Sequence, residues 1–306
     1  MKIVLLDADT LGDSDLSLFD KLGEFIHYPM TSKQQRLAHM ADCDVVITNK
    51  VMIDKEVIDA SPQLKLICIS ATGTNNVDLI AAEKAGVMVK NVSGYSTDSV
   101  AQSTFSLLFQ LLHQSRYYDH FVQSKAWCSN SSFTHIERPF SEIKGKRWGI
   151  IGYGAIGQRV AEIARAFGSE LCYYSTSGKN TQQGIKQVDL TELLSTCDII
   201  SIHAPLNAQT ENLIAEEQLK MLKKGAVILN LGRGGIIDEQ AMAKALDNRD
   251  IYHGTDVLAV EPMQKDHPYF SVQAQFRLVI TPHTAWASRE ARETLIKAIV
   301  KNIESL

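Results

Sequence analysis

The stretch Arg147-Trp148-Gly149-Ile150-Ile151-Gly152-Tyr153-Gly154-Ala155-Ile156-Gly157 decides how the chain folds. It opens as a short apolar run of strand length, and glycine then recurs in the spacing GxGxxG. Just beyond, Ile156, Val160, Ile163 and Phe167 fall at steps of four, three and four, which is one face of a helix. GxGxxG alone is a weak signal, but strand, turn and helix in this order form a dinucleotide-binding fingerprint. Gly152 permits the tight turn, Gly154 the close approach of a pyrophosphate, and Gly157 the packing of helix on strand. The helix N-terminus at Ala155 and Ile156 then offers unpaired amides to the phosphates.

Outward from this turn the chain alternates between β-branched apolar runs and helical stretches. Residues 2–6, 43–48, 64–70 and 87–92 read as strands. A second series follows at 147–152, 171–175, 197–203, 226–231, 252–257 and 278–282. Strands alternating with helices imply parallel sheets covered on both faces. A long apolar helix at about 100–113 separates the two series, as its periodic pattern indicates. Residues 117–142 then show no clear period and carry Tyr117, Phe121, Trp127 and Phe133, which suits an interaction arm. Lys223-Lys224-Gly225 suits a helix end with a left-handed cap. The last segment, 288–306, has Ala291, Leu295, Ala298 and Ile299 on one helical face and is expected to pack on the first domain.

The fold class is therefore α/β, with two doubly wound parallel-sheet domains. A flavodoxin-like substrate domain takes residues 1–98 plus 287–306, and a Rossmann dinucleotide-binding domain takes 99–286. Almost half the chain precedes the fingerprint, so the dinucleotide domain follows or is inserted into the other.

Composition narrows the function. The chain has 306 residues, 45% hydrophobic and 22% charged, with a net charge of -4 and no basic patch. That balance argues against a nucleic-acid partner. No window is apolar enough for a membrane span, and the N-terminus, with Asp7 and Asp9 close behind a short apolar run, reads as a first strand and not as a signal peptide. Cys43, Cys68, Cys128, Cys172 and Cys197 are scattered and form no CxxC pair, as suits reduced thiols in a cytoplasmic protein. No His, Cys or carboxylate set has metal-ligand spacing, and no metal is expected.

About 20 residues past the fingerprint an NAD-specific site usually places an acid on the adenine ribose. Here the run is Tyr174-Ser175-Thr176-Ser177-Gly178-Lys179. Without a carboxylate to repel a 2'-phosphate, and with Ser175, Thr176 and Lys179 able to hold one, NAD(H) and NADP(H) both remain open. An ordinary polar surface loop remains an alternative reading.

Further on, three segments end predicted strands: Asn230-Leu231-Gly232-Arg233-Gly234-Gly235-Ile236-Ile237-Asp238-Glu239, Asp256-Val257 with Glu261-Pro262, and Thr281-Pro282-His283-Thr284-Ala285-Trp286. Ligands of open parallel sheets bind outside the carboxyl ends of the strands, so these segments can converge. With Thr72-Gly73-Thr74-Asn75-Asn76-Val77-Asp78 and Tyr95-Ser96-Thr97-Asp98-Ser99-Val100-Ala101, they resemble the D-isomer-specific 2-hydroxyacid dehydrogenase family along the whole chain. His283-Thr284-Ala285-Trp286 is most similar to its glycerate dehydrogenase and hydroxypyruvate reductase branch.

The resemblance implies hydride transfer between NAD(P)H and a small 2-oxo or 2-hydroxy acid, in a cleft between the domains of a homodimer. Arg233 would hold the substrate carboxylate and carbonyl oxygen, a task that suits a guanidinium fork. His283 would be the general acid and base, with Glu261 accepting from its other nitrogen. Thr72 and Gly73 would approach the substrate carboxylate through backbone amides. Asp256 would meet the nicotinamide carboxamide, while His203, Pro205 and Leu231 line the cofactor. Gln102 departs from the family pattern, as does the missing ribose acid. His27, His39, His113, His120, His135, His253 and His267 read as histidines satisfied by local bonds. Two alternatives stand: a D-lactate, formate or phosphite dehydrogenase on the same scaffold, and a dinucleotide-sensing binding protein akin to the family's corepressors.

Overall fold

The computed structural model describes residues 1–178 and 184–306. The chain divides into two compact units, Met1–Ser96 with Ala287–Leu306, and Thr97–Trp286. Among the described residues no helix is long and apolar enough to cross a membrane.

In the first unit β1 (Lys2–Leu5), β2 (Glu24–His27), β3 (Val45–Thr48), β4 (Leu66–Ile69) and β5 (Met88–Lys90) form a parallel sheet in the order β2-β1-β3-β4-β5. This is the flavodoxin-like order. The sequences Val-Val-Ile-Thr and Leu-Ile-Cys-Ile are buried at every position, as a strand covered on both faces requires. Asp54 and Asp78 cap the next helices, Lys55–Asp59 and Leu79–Lys84, by accepting from the amides of Val57 and Ala81. Strand order reverses between β1 and β3, and there Asp7 is fully buried. Its carboxylate accepts from the amides of Asn49, Lys50 and Val51 and from the Thr48 hydroxyl.

The C-terminal helix, Arg289–Glu304, is capped by Ser288 and buries Ala291, Leu295, Ile296, Ile299 and Ile303. It packs on β4 and is tied down at both ends. Arg292 donates to Leu11 O at 2.7 Å, and Lys90 Nζ to Ser305 Oγ at 2.6 Å.

The second unit holds a seven-stranded parallel sheet in the order β12-β11-β10-β9-β6-β7-β8. Its strands are β6 (Arg147–Ile151), β7 (Glu170–Tyr174), β8 (Lys186–Gln187), β9 (Ile199–Ile202), β10 (Ala226–Asn230), β11 (Ile251–Thr255) and β12 (Leu278–Ile280). Counted from β6, this is the Rossmann order extended by one strand. The helix Thr97–His113 lies against β10, β11 and β12 and against the helix Ala155–Ala166, burying Val100, Phe105, Leu107, Leu108 and Leu111. The Phe105 ring also lies tilted against the buried Trp148 of β6, with centroids 5.0 Å apart.

Three local expectations change. Residues 117–123, the start of the stretch expected to show no clear period, lie in the helix Ser115–Gln123; Tyr117, Tyr118, Phe121 and Val122 do recur at helical spacing there, but the helix is short and buries none of them fully. Aromatic contacts fold the following segment back onto it. The Tyr118 hydroxyl donates to Arg138 O at 2.8 Å, and Phe121 stacks on His135 at 3.9 Å. Gly225 is left-handed at φ +76°, but the preceding helix, Glu216–Met221, has already ended, so it shapes the turn into β10 and caps nothing. The edge strands β2 and β8 were not expected. Backbone pairing holds an edge strand, and their exposed or half-exposed side chains give little hydropathy signal.

Candidate active site

The second sheet reverses its strand order between β6 and β9, and the loops leaving those strands meet there. Gly152 has φ +88°, and a Cβ on it would lie 2.7 Å from Ala204 N. A Cβ on Gly157 would lie 2.3 Å from Gly152 O, so the helix can approach the turn only with glycine there. Gly154 is different. Its φ of −82° is open to any residue, and its Cβ would meet no protein atom within 4 Å. That gap, in front of a helix whose N-cap is Gly154 itself and has no side-chain cap, fits a pyrophosphate received by first-turn amides such as those of Ala155 and Ile156.

Two buried polar groups flank the turn. Ser175, just past β7, is 8% exposed, and its hydroxyl has no hydrogen-bond partner among the described residues. Thr176 beside it is half-buried. Lys179 lies outside the described residues. Past β9, both ring nitrogens of His203 are buried and unpartnered among the described residues, and burial pushes the imidazole down to about 3, so it is neutral. Unsatisfied buried groups of this kind are what a bound ligand can complete. Leu231 is buried nearby in sequence order after β10, and Pro205 is exposed.

The chemistry-bearing side chains sit on the loops that leave β10, β11 and β12. Asn230, the last residue of β10, is buried; its Nδ2 donates to Arg233 O at 2.9 Å and its Oδ1 accepts from Gly232 N at 3.1 Å. The tight turn this makes presents Arg233. That side chain is exposed, bonds only its neighbour's carbonyl, Gly232 O, at 2.8 Å, and has no carboxylate partner among the described residues.

Asp256, after β11, accepts from the Thr281 hydroxyl at 2.5 Å and from the amides of Thr284 and Ala285, each at 2.9 Å. Burial pushes its carboxyl upward against the lowering effect of those bonds. The expected carboxamide ligand is thus also the clamp of the turn that carries His283. In that turn His283 has φ +54°, a left-handed conformation uncommon outside glycine and costly to hold. Its Nδ1–H donates to Glu261 Oε2 at 2.6 Å, while Glu261 Oε1 accepts from Leu258 N at 2.9 Å. With Nδ1 committed, Nε2 is the nitrogen that presents a proton or lone pair outward, and it has no partner among the described residues.

Thr72 and Gly73 belong to the first unit, on the loop after β4. The Thr72 hydroxyl donates to Val92 O at 3.0 Å, and Asn91 donates to Thr72 O at 2.6 Å. The sequence reading named Arg233, Glu261 and His283 but missed Asn230, Gly234 and Glu239. Asn230 and Glu239 bracket the quoted Arg233 segment, where an Asn at a strand end and an acid at a helix start were the available signals.

Residues 105–285 match the family described as D-isomer specific 2-hydroxyacid dehydrogenase, NAD binding domain. The chain is 36% identical to a hydroxypyruvate reductase of Blautia hydrogenotrophica, over 99% of this chain and 96% of that one. It is 34% identical to a glycerate dehydrogenase of Methylorubrum extorquens, over 99% of this chain and 95% of the other. An acyclic imino acid reductase, solved with NADPH and D-Arg, superposes with a TM-score of 0.87 at 35% identity, covering 100% of this chain and 96% of that one.

Proposed function

The chain belongs to the D-isomer-specific 2-hydroxyacid dehydrogenases, and on that premise we propose that it reduces a short 2-oxo acid, hydroxypyruvate or glyoxylate, to the D-2-hydroxy acid. The observation that carries this reading is the pairing of His283 with Glu261 on loops next to the one that presents Arg233, which has no carboxylate partner among the described residues. A nicotinamide dinucleotide supplies the hydride when bound. Gly152, Gly154, Gly157 and the first-turn amides at Ala155 and Ile156 would hold its pyrophosphate; Ser175, Thr176, His203, Pro205, Leu231 and Asp256 would contact the rest.

This chain's residues do the remaining work. The Arg233 guanidinium binds the substrate carboxylate and draws charge onto the carbonyl oxygen, where negative charge develops during reduction. His283 Nε2 delivers a proton to that oxygen and takes it back in the reverse direction. Glu261 fixes the ring's tautomer and orientation through its bond to Nδ1. Thr72 and Gly73 complete the proposal as backbone-amide ligands of the substrate carboxylate.

The finer parts of the reading are a cytoplasmic, homodimeric enzyme that accepts NADPH at least as readily as NADH. The loop with no ribose acid supports the cofactor choice. The exposed Trp127, Phe133 and Ile136 on the arm support the dimer. A spectrophotometric screen of 2-oxo acids with NADH and NADPH tests the whole proposal. Hydroxypyruvate and glyoxylate should outrun phenylpyruvate, a preference supported by the likeness to a hydroxypyruvate reductase and a glycerate dehydrogenase. Faster turnover of phenylpyruvate would refute that. One arm of the screen pairs each oxo acid with a primary amine, since the imino acid reductase is as similar as the oxo-acid reductases. Tight dinucleotide binding with no turnover of any acid or imine would instead indicate a binding protein.

A further inference from the structure

The loop that carries Glu261 is held from behind by groups the mechanism does not use. Glu239, the first residue of the helix Glu239–Asn248, turns both carboxylate oxygens toward donors. Oε1 accepts from Ala259 N at 2.7 Å, and Oε2 lies 2.9 Å from Nε2 of the buried His267. The other ring nitrogen, Nδ1, accepts from Tyr269 N at 3.2 Å. A nitrogen that accepts from an amide carries no proton, so the ring proton sits on Nε2 and is donated to Glu239. Gly234 adds a steric stop. A Cβ on it would fall 1.9 Å from the Leu258 carbonyl, so the backbone at 258–259 rests directly on the residue next to Arg233.

We propose that Glu239, oriented by His267, is a positioning residue for the Glu261–His283 pair. The contacts run in series. His267 holds Glu239; Glu239 fixes Ala259; the adjoining Leu258 amide binds Glu261 Oε1; and Glu261 Oε2 meets His283. The same fixed backbone backs the turn that presents Arg233. This rests on the acid–base roles given to His283 and Glu261 above.

Only a carboxylate suits position 239. Ala259 N–H and His267 Nε2–H are both donors, and a carboxylate accepts from each. A carboxamide brings one acceptor and one donor, so Glu239→Gln must turn an N–H against one of them. In His267→Ala that conflict is removed, because the carboxamide NH2 can face the vacated side while its oxygen keeps Ala259.

The test compares Glu239→Ala, Glu239→Gln, His267→Ala with Glu239→Gln, and Glu261→Gln for hydroxypyruvate reduction across pH, alongside NADPH affinity by fluorescence titration and Tm. Glu239→Ala should lower kcat roughly 10- to 100-fold, the order expected when a reacting group is displaced by up to an ångström. The falling alkaline limb should move to lower pH, and NADPH affinity should hold. Glu239→Gln should be impaired, and adding His267→Ala to it should raise kcat. A lower Tm with the pH limb unmoved, while Glu261→Gln does move it, would overturn the positioning role. An unmoved limb in Glu261→Gln would remove the acid–base reading and the inference with it. If Glu239→Ala does not fold, Glu239→Gln with and without His267→Ala decides: wild-type kcat and limb in Glu239→Gln would overturn the proposal.

Discussion

His283 Nδ1 and Glu261 Oε2 lie 2.6 Å apart, on loops that leave neighbouring parallel strands. The short contact leaves one direction for the imidazole to face and one nitrogen with which to act. Because reduction consumes a proton, the donor must be charged when the oxo acid is bound, and Glu261 is the carboxylate within hydrogen-bond reach of that charge. Glu261→Gln keeps the shape and removes the charge. The alkaline fall in kcat/KM for oxo-acid reduction should therefore shift to lower pH, and oxidation, which needs the neutral ring, should become active at lower pH. An unaltered profile in both directions would separate Glu261 from the proton step.

Arg233 has no internal counter-ion among the described residues, so its charge is available to substrate. Arg233→Ala should raise KM for the oxo acid and lower kcat together, since the guanidinium acts on both ground state and transition state. NADPH affinity should be nearly unchanged. Steady-state kinetics with near-normal kcat/KM would show that the substrate site is elsewhere.

Gly152 and Gly154 should respond differently to the same substitution. At Gly152 an alanine meets Ala204 N at 2.7 Å in a left-handed backbone, so Gly152→Ala should lose Tm. At Gly154 a methyl group meets no protein atom, and the cost to the fold should be about 1 kcal/mol, the order of losing a good N-cap residue. Gly154→Ala should nevertheless weaken NAD(P)H binding severely in a fluorescence titration. Full affinity in a folded Gly154→Ala protein would place the pyrophosphate elsewhere.

On the proposed reading, the buried Ser175 hydroxyl, unpartnered among the described residues, takes the place of a ribose-binding acid. NADPH should be used at least comparably with NADH by kcat/KM, and Ser175→Asp should shift the preference toward NADH. A strong NADH preference in the unsubstituted protein would count against this loop as a phosphate site.

Burial should also make the fold sensitive to acid. It pushes His203 down to about 3 and His253 down to about 4, the latter against the opposing effect of its bond to Ile228 O. Unfolded, each binds a proton near pH 6.5. Both contributions are therefore intact above that pH and are lost as pH falls toward 4, at up to about 1.4 kcal/mol per pH unit per histidine. Urea unfolding between pH 7 and 4.5 should show this slope, and His253→Gln should reduce it. A flat stability in that window would refute the assignment.

Much of this molecule can be read from one sequence because its strands are buried on both faces and its turns need glycine. β3, β4 and β10 announce themselves by unbroken apolar runs, and the strand-turn-helix at 147–166 by its spacing. What escaped has other physical origins. β2 and β8 are held by backbone pairing at sheet edges, and the helix Ser115–Gln123 by aromatic contacts with the segment that folds back on it. Arg233, Glu261 and His283 are legible because their neighbours in the chain form recognisable segments. Asn230 and Glu239 act on backbone amides, and any polar residue near a strand end could do so; only the folded loops reveal which one does.

The two sheets share an architecture but divide its uses. Each reverses strand order at one point, where such folds offer a socket to ligands. In the second unit glycine keeps the socket open. In the first, Asp7 stoppers it with the protein's own carboxylate, already saturated by the amides of Asn49, Lys50 and Val51. A phosphate group arriving there would meet negative charge and spent donors. One chain thus carries two strand-order reversals in which the same kind of backbone amide is spent differently: inward on Asp7 in the first unit, and left facing a gap beside Gly154 in the second.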